Sequence, residues 1–99
     1  MLKFTSTMAE VEGNIAKQSI SILIDLGSTH NYINPKIVEI CAFEKTKHSK
    51  SWLVDLAIRT KKRISEIVKS CSLDMNGLHT FVDLNIIPLG SYSVLLGMD

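Results

Sequence analysis

Residues 20–32, ISILIDLGSTHNY, constrain this chain more than any other stretch. Ile20, Ile22 and Ile24 alternate with Ser19, Ser21 and Leu23, the pattern of a strand with one well-buried face. The strand ends at Asp25, and Leu26-Gly27-Ser28-Thr29 then reads as a tight turn. An ionised carboxylate at the end of a buried strand is expensive unless its own loop hydrogen-bonds it or a reaction uses it. The residue pattern alone leaves both readings open, because local Asx bonding is common in turns.

Alternation recurs along the rest of the chain. Residues 5–11 read as a first strand and Gly13-Asn14 as a turn, so that Asp25 ends the second arm of a hairpin. Tyr32-Ile33 is extended. Asn34-Pro35 then has the form of an N-cap followed by proline at the first helical position, and Ile37, Val38, Ile40 and Cys41 form the apolar stripe of a two-turn helix over 35–42. Residues 44–51, polar and basic, are expected to be a solvated connection. Trp52, Val54, Leu56 and Ile58 alternate again, and residues 64–68 return, giving a long hairpin with the charged tip Arg59-Thr60-Lys61-Lys62-Arg63. Asn76-Gly77 is the strongest hairpin signal, since both residues tolerate the positive φ of a type I′ turn. Leu78, Thr80, Val82, Leu84 and Ile86 share one face of the next strand, with His79, Phe81, Asp83 and Asn85 on the other. Pro88-Leu89-Gly90-Ser91 breaks that strand, and residues 93–96 form a last buried one closed by Gly97. The expected fold class is all-β, with non-local pairing and one or two short helices.

Size and charge exclude several classes. A chain of 99 residues is one domain, and such a chain buries only roughly 60–65% of its unfolded surface, so a partner subunit would help it. A net charge of +1 gives no global attraction to nucleic acid or membrane. The cations at 59 and 61–63, with Lys45, Lys47 and Lys50, read as a solvated face because no aromatic residues interleave with them. No apolar run reaches the ~18 residues of a membrane span, and residues 1–12 lack the apolar centre of a signal peptide. Cys41 and Cys71 show no C-x-x-C spacing and read as reduced thiols of an intracellular protein. His30, His48 and His79 are not at ligand spacing, so neither a metal nor another cofactor is expected.

Three motifs taken together, IDLGSTHNYI at 24–33, VDLNIIPL at 82–89 and LLGMD at 95–99, resemble the retropepsin-like aspartic protease domain of gypsy-type LTR retrotransposon polyproteins, especially those of plants. The likeness runs over essentially the whole chain. It implies a retropepsin-like acid protease barrel, a homodimer and a polypeptide substrate, at work in the cytoplasm or inside a retroelement particle. It makes Asp25 the catalytic carboxylate, supported by a loop of Leu26, Gly27, Ser28 and Thr29, in which Gly27 opens the backbone and Ser28 hydrogen-bonds the carboxylate. The substrate-binding flap is residues 52–68, with its tip at Arg59, Thr60, Lys61, Lys62 and Arg63. Leu95, Leu96 and Gly97 form the strand beneath the active loop. Aspartic proteolysis needs two carboxylates sharing one proton, and only one Asp-x-Gly is present; Asp55, Asp74, Asp83 and Asp99 lack the turn. The second carboxylate is therefore expected from another copy.

Two departures follow from the resemblance. Leu26 stands where the family has Ser or Thr, whose hydroxyl bonds across the dimer, so a weakened dimer and poor or absent cleavage are expected. A domain that kept the fold and lost cleavage would serve as a dimerisation or binding module. The family also continues through a helix beyond Asp99, so the domain is expected to be truncated. The same loop is similar to the first phosphate motif of the actin, Hsp70 and sugar kinase superfamily, which would make the chain a nucleotide phosphate-binding fragment. Against that reading, Pro35 falls where a second hairpin strand is required, and 99 residues are too few for two lobes.

Overall fold

Two strands, β1 (Met8–Ile15) and β2 (Gln18–Asp25), pair antiparallel from Met8↔Asp25 to Ile15↔Gln18. Their loop is Ala16-Lys17, with φ of 48° and 67°, the two positive values that match a tight hairpin to the strand twist. The sequence expectation of a turn at Gly13-Asn14 is wrong; the strand expected over 5–11 is present at 8–11 and runs on to Ile15, while residues 5–7 lie outside the described residues. Gly13 lies inside β1, where a Cβ would overlap the Asp74 carbonyl oxygen and Ile22 Cδ1. Its glycine serves a close approach between strands, not a turn. The computed structural model describes residues 8–55 and 61–97.

The remaining elements are β3 (Tyr32–Ile33), α1 (Pro35–Ile40), β4 (Thr46–Asp55), β5 (Lys61–Met75), β6 (Leu78–Ile86) and β7 (Val94–Gly97). They form one sheet in the order β1-β2-β7-β3-β6-β5-β4, and a β1–β5 pairing at Gly13↔Met75 to Ile15↔Leu73 closes it into a barrel. Closure leaves β4 as the appended edge. The short strand β7 lies between β2 and β3, parallel to the first and antiparallel to the second. The chain thus leaves β2 at Asp25, passes over the end of β7, and re-enters the sheet on its far side as β3. Val94, Leu95 and Leu96 are all buried, the continuous apolar run expected of a strand covered on both faces.

Local signals explain α1. Asn34 caps it, its Oδ1 accepting from the Lys36 amide at 3.1 Å, with Pro35 at the first helical position. The helix ends at Ile40, two residues before the expected end, and Ala42 has a left-handed φ of 54°. The expected connection at 44–51 is corrected as well: β4 begins at Thr46 and pairs with β5. Lys47 and Lys50 are exposed there, as suits an edge strand that must not recruit another. Between Val68 and Cys71, β5 bulges; Ser70 takes a φ of 54°, and its amide donates to Asp83 Oδ1 at 2.8 Å. The turn at Asn76-Gly77 and the span of β6 are as expected from sequence.

The interior has two clusters. One joins Ile20 and Ile22 to Ile15, Ile33, Val68, Leu73, Leu84, Val94 and Leu96. The other joins Leu23 to Tyr32, Ile64, Ile87, Leu89, Tyr92 and Leu95, with Trp52 and Val54 packed against it. Leu23 is only 1% exposed, so the end of β2 is buried on both faces, not on one. The β4–β5 hairpin supplies the second cover.

Candidate active site

Asp25 is the last residue of β2, half-buried, directly paired with Gly97 of β7. Its Oδ1 accepts a hydrogen bond from the Gly27 amide at 2.9 Å, and its carbonyl accepts from the Ser28 amide at 3.2 Å. The loop therefore grips the carboxylate through its backbone. A Cβ on Gly27 would stand 3.5 Å from Asp25 Oδ1, an ordinary contact, so the glycine leaves room beside the carboxylate without being forced by the loop's shape.

Ser28 does not play the part expected of it. Its hydroxyl donates to the His30 carbonyl at 2.9 Å and accepts from the His30 amide at 3.3 Å. A serine with a carbonyl and an amide of its own loop in reach satisfies them first, so Ser28 stiffens the turn. Burial, and after it the nearby Asp25 charge, push the Tyr32 phenol above the usual tyrosine range, while the Ser28 hydroxyl pulls the other way. Tyr32 thus belongs to the surroundings of the carboxylate, although the sequence marked it only as strand.

The loop rests on β7. A Cβ on Gly97 would overlap the Ser28 and His30 carbonyl oxygens, and the Gly97 amide donates to Asn31 Oδ1 at 2.9 Å. The Asn31 carbonyl accepts from the Asn85 amide at 2.9 Å and from Asn85 Nδ2 at 3.3 Å. Asn85, 6% exposed, is bonded in turn to His48 Nε2 at 2.8 Å. Asn31, Asn85 and His48 escaped the sequence reading, since nothing local marks contacts between residues this far apart. Leu95 and Leu96 pair with Leu23 and Ile24 of β2, and Gly97 pairs with Asp25 where the loop begins. Leu26 is 57% exposed and Thr29 is exposed.

The β4–β5 hairpin approaches the same loop. Trp52 lies between His48 and His30, its ring tilted against both, with centroids 4.7 and 5.8 Å away. The expected flap tip is only partly visible: Arg59 and Thr60 lie outside the described residues, and Lys61 opens β5. Lys62 pairs with Val54 and so shares the inner face with Trp52 and Ile64, whereas Arg63 turns outward and donates to Ser51 Oγ at 2.8 Å.

Other titratable groups are engaged away from Asp25. Asp74 pairs with His79, Asp83 holds the Ser70 amide, and Glu10 accepts from Ser21. A cavity of about 500 Å³ lies between β1, β2 and the β5–β6 turn, lined by Glu10, Glu12, Ser19 and Asp74, not at the carboxylate loop. Among the described residues no three His, Cys, Asp or Glu side chains gather to hold a metal ion, and no helix is long and apolar enough to cross a membrane. Cys41 and Cys71 are free, and burial, with Asp83 and Cys41 nearby, pushes the Cys71 thiol up to about 11.

Residues 5–99 match the retroviral aspartyl protease family. The crystal structure of the retroviral protease-like domain of Ddi1 from Leishmania major is similar, with a TM-score of 0.65 and 14% sequence identity, covering 94% of this chain and 74% of that one. At that identity the likeness speaks for the fold, which is retropepsin-like. No curated protein matches the sequence.

Proposed function

The chain belongs to the retroviral aspartyl protease family, and from that premise we propose that it is an aspartic endopeptidase whose site is completed by a second copy. One observation carries the reading. Asp25 ends a central strand on a loop seated on Gly97, with its carboxylate held by the Gly27 amide. Two such loops meeting at a twofold axis bring two carboxylates together, and like charges ~3 Å apart cannot both ionise, so the pair shares one proton. The ionised member takes a proton from water, the water oxygen attacks the peptide carbonyl, and the protonated member donates to the carbonyl oxygen. The substrate is a polypeptide, in our reading a gypsy-type retroelement polyprotein of a plant, cleaved in the cytoplasm or the particle. The β4–β5 hairpin closes over it, with Lys62 on its inner face.

Leu26 favours a second reading. It presents an exposed apolar side chain where the resemblance places a hydroxyl that bonds across the dimer, so the domain also fits a protease that has kept the fold and lost cleavage. Peptide cleavage at about pH 4 to 6 by the purified chain, with Asp25→Asn and a pepstatin-type inhibitor as controls, decides between them. Activity abolished by both supports the endopeptidase. A folded dimer without cleavage supports the binding module, and a monomer that cleaves through Asp25 refutes the shared site.

A further inference from the structure

On the outer face of the β5–β6 hairpin, three side chains that the carboxylate loop does not use stand in line. His79 is the direct cross-strand partner of Asp74, and Phe81 that of Ser72. Because residues two apart on a strand share a face, all four side chains project from the same side. His79 Nδ1 lies 2.5 Å from Asp74 Oδ1, and His79 Nε2 lies 3.2 Å from Ser72 Oγ. A carboxylate only accepts, so in the neutral imidazole the proton sits on Nδ1, which leaves the Nε2 lone pair facing the serine hydroxyl. Nucleophile, base and orienting carboxylate are then each within hydrogen-bond reach of the next, the relation by which a hydrolytic triad is recognised on any fold. Phe81 adds an apolar seat: it is 66% exposed and meets the His79 ring edge-on at 5.1 Å.

We propose that Ser72, His79 and Asp74 form a second hydrolytic site, selective for activated aryl esters. Ser72 Oγ bonds to the ester carbonyl carbon while its proton passes to His79 Nε2. The C–O bond to the aryl group then breaks, and His79 returns the proton to the departing oxygen. Water, deprotonated by His79, releases the carboxylic acid and restores Ser72. Asp74 holds the imidazole in the reactive tautomer throughout, and the aryl ring stacks on Phe81. The His79 and Asp74 side chains are each 52% exposed, so the face is wet and open. Such a site stabilises an oxyanion poorly, and it therefore needs a good leaving group and leaves amides intact. This site is independent of Asp25 and of the proposed proteolysis.

The test uses the full chain at about pH 8, where imidazole is largely neutral, with a pepstatin-type inhibitor present. A fluorophosphonate probe, which bonds to the serine oxygen as fluoride leaves and the proton moves to His79, is expected to label Ser72 in peptide mass spectrometry. Labelling disappears in Ser72→Ala and falls at least about tenfold in His79→Gln. Release of p-nitrophenol from p-nitrophenyl acetate falls in parallel, and Asp74→Asn lowers the rate constant with little change in KM. Ester hydrolysis undiminished in Ser72→Ala would mean that exposed imidazoles alone react. That result, or a folded chain whose Ser72 stays unlabelled, overturns the proposal and leaves the trio as a cross-strand clasp.

Discussion

Gly97→Ala is the sharpest perturbation of the seat on which Asp25 depends. The new methyl would overlap two backbone carbonyl oxygens, those of Ser28 and His30. Neither can rotate away as a flexible side chain would, so the loop must lift or β7 must sink. Sinking is resisted, because Val94, Leu95 and Leu96 of the same strand are packed at 7% exposure or less. Lifting stretches the bond from the Gly97 amide to Asn31 Oδ1. Overpacking of this kind costs about 1–3 kcal/mol, and the weakened, part-buried hydrogen bond adds about 1 kcal/mol. Against a total stability of about 5–15 kcal/mol, the sum is a clear shift in a urea unfolding curve. Gly13→Ala is the matched control. Its methyl also overlaps a backbone carbonyl, that of Asp74, but at the β1–β5 seam far along the hairpin from Asp25. Gly97→Ala is expected to lose about 2–4 kcal/mol and Gly13→Ala about 1–3 kcal/mol. Only Gly97→Ala should also lose about 100-fold in peptide cleavage per folded molecule, since a displacement of ~1 Å at a reacting group has that effect. Equal cleavage by the two variants at equal folded fraction would refute the argument that Gly97 positions the carboxylate.

Three further outcomes follow from particular contacts. Leu26→Ser restores a hydroxyl at the loop in both copies, at about 1 kcal/mol for each hydrogen bond gained, so sedimentation should show dimerisation tightened by roughly tenfold or more; unchanged affinity would show that the leucine is harmless. Asn34→Ala removes the cap of α1 and the Nδ2 bonds to the Gly90 and Tyr92 carbonyls, both 3.2 Å, at an 8% exposed site; a loss of about 2–4 kcal/mol is expected from denaturant unfolding. The raised Cys71 thiol fixes the sign of an alkaline effect. Above the usual thiol value of 9.0 the unfolded chain sheds a proton that the folded one keeps up to about 11. Stability should therefore fall by about 2 kcal/mol as pH rises across that window and hold steady below it. Cys71→Ala should flatten the slope, and an unaltered slope would assign it to other groups.

Signals carried within a few residues were legible in the sequence by itself. The alternation that ends at Asp25, the Asn34-Pro35 helix start, the Asn76-Gly77 turn and the run into Gly97 each name their own local conformation, because capping, positive φ and strand periodicity are properties of neighbours. The closed all-β class and the family likeness followed from those motifs. What only the tertiary structure decided depends on residues distant along the chain. Gly13 looked like a turn residue and instead makes room for β5, while Ala16-Lys17, without glycine or asparagine, are driven into the left-handed region by the pairing on either side. The polar residues from Thr46 gave no strand signal, since as an edge strand β4 has one side free for lysines. Ser28 bonds its own loop instead of the carboxylate. The supports of that loop, Asn31 with Gly97 and with Asn85, join residues 66 and 54 positions apart. A hydrogen bond across such a span leaves no periodic trace in either segment, and it exists only once β7 has been laid between β2 and β3.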